Sequence, residues 1–274
     1  STDYPALCVQ FHPEAIVARA KGNAAYDHAR MTKFFTSLAD LCGTVGGQKD
    51  RVVIVPAHPD DLVACLGFCH LAKGVYDIHV IDFTHGERGL GQAGFTNGVA
   101  RATRTKEEEA VCASIGATLH WLDEVDGHAY AGKDSTERLA ALLKELKPRA
   151  VIMHWPICDH PDHVMSYAAG MKALHLAGLF HSTEVYFHFQ QSQNRNFQPR
   201  IYVDVTKVMD ERNRLIKMYE CQDGAHLADY KEQVGRVFGK MTGYSVECLE
   251  AYSLMTGTCG PGRCIFDKLP RTSY

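Results

Sequence analysis

Residues 51–61 read Arg51-Val52-Val53-Ile54-Val55-Pro56-Ala57-His58-Pro59-Asp60-Asp61: a β-branched apolar run broken by proline into a His-Pro-Asp-Asp turn. A second stretch has the same plan. Ala150-Val151-Ile152-Met153-His154-Trp155 is another apolar run, and it leads into Asp159-His160-Pro161-Asp162-His163. Working outward from these, short β-branched runs alternate with longer helical ones. The pattern predicts strands over 51–57, 78–83, 118–122 and 150–155, with helices over 62–73, 101–115, 135–146 and 164–179. Parallel neighbours need a crossover of about a helix's length, so four strand–helix units in series predict a Rossmann-like α/β fold. Its mostly parallel sheet should carry helices on both faces. Two further strands, 184–190 and 201–205, and helices over 206–219 and 228–241 extend the same domain.

In such a sheet the first and fourth strands lie side by side where the strand order reverses, and ligands bind beyond their carboxyl ends. Both His-Pro-Asp turns sit there. With 15 His, 10 Pro and 18 Asp in 274 residues, one His-Pro-Asp is expected by chance about 0.04 times, yet there are two. A third proline motif, His12-Pro13-Glu14, lies in the prefix and reads as a turn or helix start.

Composition narrows the rest. The chain is 46% hydrophobic and 22% charged, ordinary for a globular domain and unlike a disordered or coiled-coil chain. Net charge is -3 and no basic stripe occurs, which argues against nucleic acid as a partner. No apolar run approaches the ~18 residues of a membrane span, and Ser1–Gln10 lack a leader's basic and apolar segments, so a cytoplasmic protein is expected. Residues 1–50 read as an N-terminal helical extension and 51–274 as the main domain. The ten cysteines form no C-x-x-C pair and fall mostly in apolar segments, the reading being reduced thiols. Cys259 and Cys264, around Gly-Pro-Gly, are the pair most suited to a bridge.

Two imidazoles and a carboxylate suit Zn2+, and a catalytic site keeps three protein ligands with one position open. His58 and His163 with one of the Asp60–Asp61 pair form such a set. The other aspartate is then placed to take a proton from water as general base. His160 should point into the same cleft, oriented and kept protonated by Asp162, to stabilise an oxyanion or protonate a leaving amine. Fe2+ or Co2+ suits the same donors.

These motifs resemble the LmbE-like/PIG-L N-acetylglucosaminyl deacetylases. The resemblance spans about residues 51–252 and runs in order through Ala57-His58-Pro59-Asp60-Asp61, Thr84-His85-Gly86-Glu87, Arg104-Thr105-Lys106-Glu107, Asp126-Gly127, His160-Pro161-Asp162-His163 and Glu250-Ala251-Tyr252. It implies zinc on His58, Asp61 and His163, Asp60 as the base, and hydrolysis of an acetamide on a glucosamine-type sugar or conjugate. Two positions depart from the family pattern: Leu62 replaces a usual Glu, and Cys221-Gln222 replaces Ser-Gln.

The implied partner is a small N-acyl amino-sugar, and a homo-oligomer is compatible. Arg88, Arg104, Asp126 and Glu250 are the expected substrate contacts, because carboxylate and guanidinium groups near the strand ends can hold sugar hydroxyls. Trp155 is expected to wall the cleft. Competing readings are a zinc amidase for a larger acyl group, a non-catalytic metal-binding carbohydrate module and an NAD-binding Rossmann protein. Gly89-Leu90-Gly91-Gln92-Ala93-Gly94 fits G-x-G-x-x-G but follows the second strand rather than the first, and Phe95–Val99 carries no evident helix start, against NAD.

Overall fold

A computed structural model describes residues 49–89, 96–190, 193–243, 246–256 and 264–270. The N-terminal extension up to residue 48, the His12-Pro13-Glu14 turn, residues 90–94 of the glycine-rich loop and Cys259 lie outside the described residues.

Seven strands form one sheet: β1 (Arg51–Val55), β2 (Asp77–Thr84), β3 (Thr118–Glu124), β4 (Ala150–His154), β5 (Glu184–His188), β6 (Ile201–Asp204) and β7 (Leu249–Thr256). Their order is β3-β2-β1-β4-β5-β7-β6. The first five are parallel, whereas β7 runs antiparallel between β5 and β6. β1 and β4 are neighbours, as the reversal in strand order requires, with Val55 opposite Met153. Both His-Pro-Asp turns therefore leave the sheet from adjacent carboxyl ends.

β1 explains why the sheet holds. Val52 to Val55 are at most 1% exposed, and they alternate between two cores. Val52 and Ile54 pack with Leu66, Phe68 and Val111 on one face, while Val53 and Val55 pack with Leu139, Leu143 and Ala169 on the other. A continuous apolar run, rather than an alternating one, is what a doubly covered parallel strand needs.

The helices are α1 (Leu66–Ala72), α2 (Asn97–Ile115), α3 (Lys133–Leu146), α4 (Pro161–Leu176), α5 (Met209–Ile216) and α6 (Gly224–Thr242). Four expectations need correction. The helix read over 62–73 is a 3-10 turn, Pro59–Ala64, followed by α1, because the Asp61 carboxylate folds back onto the amides of Ala57 and His58 and tightens the first turn. α2 starts at Asn97, where the Thr96 hydroxyl accepts from the Val99 amide at 3.3 Å, so the stretch after Phe95 does hold a helix start. The stretch 206–219 is the short turn Thr206–Val208 followed by α5. β7 was not foreseen. Only Tyr252 and Thr256 of its eight residues favour a strand, and its conformation is supported by pairing on both sides.

Two carboxyls are enclosed where β2 meets α2. Asp82 and Glu108 have no exposed surface; neither Asp82 oxygen has a hydrogen-bond partner among the described residues, and the Tyr219 hydroxyl donates to Glu108 Oε2 at 2.6 Å. Burial pushes Glu108 up to about 8, and burial followed by the nearby Glu108 raises Asp82 well above its usual range. A raised carboxyl pKa means that the folded state holds a proton the unfolded chain has released. Stability therefore falls as pH rises from the ordinary 4.5 through about 8. Glu108→Gln, neutral throughout, should melt above the parent at pH 9 and no higher at pH 5 in scanning calorimetry. About 1 kcal/mol moves the midpoint of a chain this size by roughly 2–4 °C.

Candidate functional site

The 3-10 turn after β1 and the first turn of α4 bring His58, Asp61 and His163 together, all at most 6% exposed. Asp61 is the hub. Its Oδ2 accepts from the amides of His58 at 2.9 Å and Ala57 at 3.2 Å, and lies 3.2 Å from both His58 Nδ1 and His154 Nε2. Its Oδ1 accepts from Gln190 Nε2 at 2.8 Å and faces His163 Nε2 at 3.2 Å. The far nitrogens of both ligand-type imidazoles are occupied. His58 Nε2 lies 3.2 Å from Asp126 Oδ1 and 3.3 Å from Asp162 Oδ2, and His163 Nδ1 lies 3.3 Å from Cys158 Sγ. This is how metal-binding histidines are held: one nitrogen is anchored while the other faces the ion.

The electrostatics follow. Burial opposes protonation of His58, yet Asp126, Asp162 and Asp61 together raise it well above the usual range. Burial likewise opposes His163, but the Asp61 charge and hydrogen bond lift it to about 9. Asp61 is lowered despite burial by the charges of His163 and His154, and Asp126 falls to about 2 despite burial through its contact with His58. His154 goes the other way, down to about 4, through burial and the charge of His163. His154 Nε2 also accepts from the Ala57 amide at 3.1 Å.

A buried concentration of imidazole and carboxylate is what a divalent cation compensates. Ligand atoms of His58, His160 and His163, of Asp61, His154 and His163, and of His58, Asp126 and Asp162 form three groups, each within 4.8 Å. Zn–N bonds of about 2.0–2.1 Å at a tetrahedral angle set two imidazole centroids roughly 5 Å apart. His58 and His163 are 5.5 Å apart, so the donors fit.

Above them opens a cavity of about 410 Å³, lined by His58, Asp60, Asp61, Arg88, Arg104, Asp126, His160 and His163, with Gly89, Gly127, Gln193 and Gln222 at its edges. Asp60 faces it and is ion-paired to Arg104, whose Nη1 also donates to the Gly86 carbonyl at 3.0 Å. Gly86 and Gly89 accommodate that guanidinium, since a Cβ at either would lie within 2.6 Å of it. Arg88 lies across Gly127, and its guanidinium makes no hydrogen bond or ion pair among the described residues.

The structure revises several roles. Asp162 does not orient His160: its Oδ2 accepts from the Gly127 amide at 2.6 Å and contacts His58, so it ties the β3 loop to a ligand-type histidine. His160 is stacked on His163 at 4.5 Å, and burial, His163 and His58 push it down, against the protonated form expected of it. Asp126 lines the cavity, yet His58 and the Arg88 amide already engage its two oxygens. Glu250 is removed from the site altogether. It accepts from the Gly67 and Phe68 amides at 2.7 and 2.9 Å, capping the buried start of α1. Trp155 packs on Phe187 and Phe197 and lines a separate cavity.

Sequence reasoning did not single out Gln190, Gln193, Gln222 or His154 as site residues. Each glutamine lies in an irregular segment or short turn with no motif to mark it. Only the Cys221-Gln222 departure pointed nearby.

Residues 53–174 match the PIG-L family, described as GlcNAc-PI de-N-acetylase. Diacetylchitobiose deacetylase of Thermococcus kodakarensis is 26% identical over 213 residues, covering 71% of this chain and 79% of that protein. The 4-oxalmesaconate hydratase of Pseudomonas putida is 28% identical over 204 residues, covering 66% and 77%. In fold, the chain is similar to the 4-carboxy-2-hydroxymuconate hydratase of Pseudomonas putida, with a TM-score of 0.68, 23% identity and coverage of 77% and 98%.

Metal analysis of the purified protein should give about one equivalent of divalent cation. Asp61→Ala or His163→Ala should drop it to background. Glu250→Gln should keep the metal while lowering the melting midpoint, which separates the α1 cap from the cavity.

Proposed function

The chain belongs to the PIG-L/LmbE-like family through residues 53–174, and on that footing we propose that it is a metal-dependent amide hydrolase. Its substrate is an N-acetylated amino sugar or conjugate, and its products are the amine and acetate. The observation that carries this reading is Asp60, which lines the cavity beside His58, Asp61 and His163 and belongs to none of the three groups of ligand-type atoms there.

Zn2+ suits these donors and, when bound, acts as a Lewis acid that makes water nucleophilic near neutral pH and polarises the acyl carbonyl. The chain's own groups do the rest. Arg104 holds the Asp60 carboxylate toward the cavity, where Asp60 takes the proton of the attacking water. As the water oxygen bonds to the acyl carbon and the C–N bond breaks, that proton passes to the departing nitrogen. His160 donates its N–H to the acyl oxygen, stabilising the charge that develops there. Asp162 and Asp126 hold His58, and Cys158 occupies the far side of His163. A polar cavity of about 410 Å³ suits a sugar-sized polar molecule.

The hydratase relative supplies a second reading, in which water adds to a double bond of an unsaturated acid. Arg88 favours it: it lines the cavity, its guanidinium has no hydrogen bond or ion pair among the described residues, and a guanidinium recognises carboxylates. Product analysis separates the two. Zn2+-loaded protein with a panel of N-acetylglucosamine conjugates should release acetate stoichiometrically with primary amine. Asp60→Asn should keep the metal and lower kcat by about 10²- to 10⁴-fold. Hydration of an unsaturated dicarboxylate, with no acetate from any conjugate, would favour the hydratase.

A further inference from the structure

An aspartate ligand must be fixed in rotation as well as in position, because the carboxylate torsion is broad and soft. The local turn fixes only one oxygen of Asp61: the amides of Ala57 and His58 both donate to Oδ2. Oδ1, the oxygen facing His163, takes its hydrogen bond from elsewhere, at 2.8 Å from Gln190 Nε2.

Gln190 is well built for the task. It lies just past β5, is 4% exposed, and is anchored through its main chain on both sides. Its amide donates to Asn194 Oδ1 at 2.7 Å, and its carbonyl accepts from Lys231 Nζ. Lys231 reaches in from α6, is 8% exposed, and also bonds the Phe189 carbonyl at 3.5 Å. The side-chain amide has one sensible orientation. Flipping it would set Oε1 against the Asp61 carboxylate, whereas as placed the N–H is used and Oε1 has no partner among the described residues. Gln190 and Lys231 both lie beyond the residues that match the family.

We propose that Gln190 is a positioning residue that locks the Asp61 carboxylate plane and so sets the affinity of the site for a divalent cation, with Lys231 anchoring Gln190 from α6. This rests on Asp61 being a metal ligand, as read above. Losing a hydrogen-bond partner of a ligand typically weakens metal binding by about 10- to 100-fold.

Metal affinity is measured by chelator competition with Zn2+, alongside the visible spectrum of the Co2+-loaded protein and the melting midpoint. Gln190→Met should bind Zn2+ about 10- to 100-fold more weakly, with a shifted Co2+ spectrum and little change in melting of the metal-free protein. Gln190→Asn, which keeps the polarity but withdraws the donor, should show the same pattern and serves if the methionine variant does not fold. Lys231→Met should weaken binding less, and its effect should not add to that of Gln190→Met, since both act on one hydrogen bond. Parent-like affinity and an unshifted Co2+ spectrum in a folded Gln190 variant, with Asp61→Asn losing the metal, would overturn the positioning role alone. Parent-like affinity in Asp61→Asn would overturn the ligand assignment and this inference with it.

Discussion

A carboxylate held 4% exposed must be compensated from every side, and Asp61 is. Two main-chain amides, three imidazoles and a glutamine amide lie within 3.2 Å of its oxygens. They come from the β1 turn, β4, the start of α4 and the segment after β5, so one charge ties together four parts of the chain. Around it, His58 and His163 keep their outer nitrogens engaged and their inner nitrogens on Asp61. The same compensation that makes the buried charge tolerable builds a donor set that a divalent cation fits.

Topology makes that convergence possible. Parallel strands put all their carboxyl ends on one edge of the sheet, and the reversal in order places β1 beside β4. The β2 and β3 ends then supply the surround: Gly86 accepts from Arg104, Asp126 reaches His58, and the Gly127 amide meets Asp162. Arg104 on α2 in turn fixes Asp60. Glu250 shows the limit of motif reading, since its carboxylate serves the start of α1 rather than the chemistry.

The parallel half of the fold is legible in the sequence because its signals are strong and local. Val52–Val55 and Ala150–His154 are buried apolar runs that no amphipathic helix would use, and each ends in a dense cluster of ligand-type residues. β7 is not legible, because a strand in which only Tyr252 and Thr256 favour β structure depends on its neighbours. The two turns that hold His58 and His163 could be singled out because His-Pro-Asp is rare, whereas the choice of Asp61 over Asp60 came only from the family resemblance. What they touch could not be. Asp162 adjoins His160 along the chain but meets His58 and Gly127 in space, and Gln190 reaches Asp61 across 129 residues. Short-range spacing suggests partners, whereas burial decides them.

On the proposed reading, two imidazoles and the Asp61 carboxylate surround one cation while the thiol of Cys158, 3.3 Å from His163, stays outside its shell. X-ray absorption at the zinc edge of the Zn2+-loaded protein tests this directly. Nitrogen and oxygen neighbours are expected at about 2.0–2.1 Å, with outer-shell scattering from two imidazoles. A sulfur neighbour at about 2.3 Å, or a shell without imidazole, would contradict it.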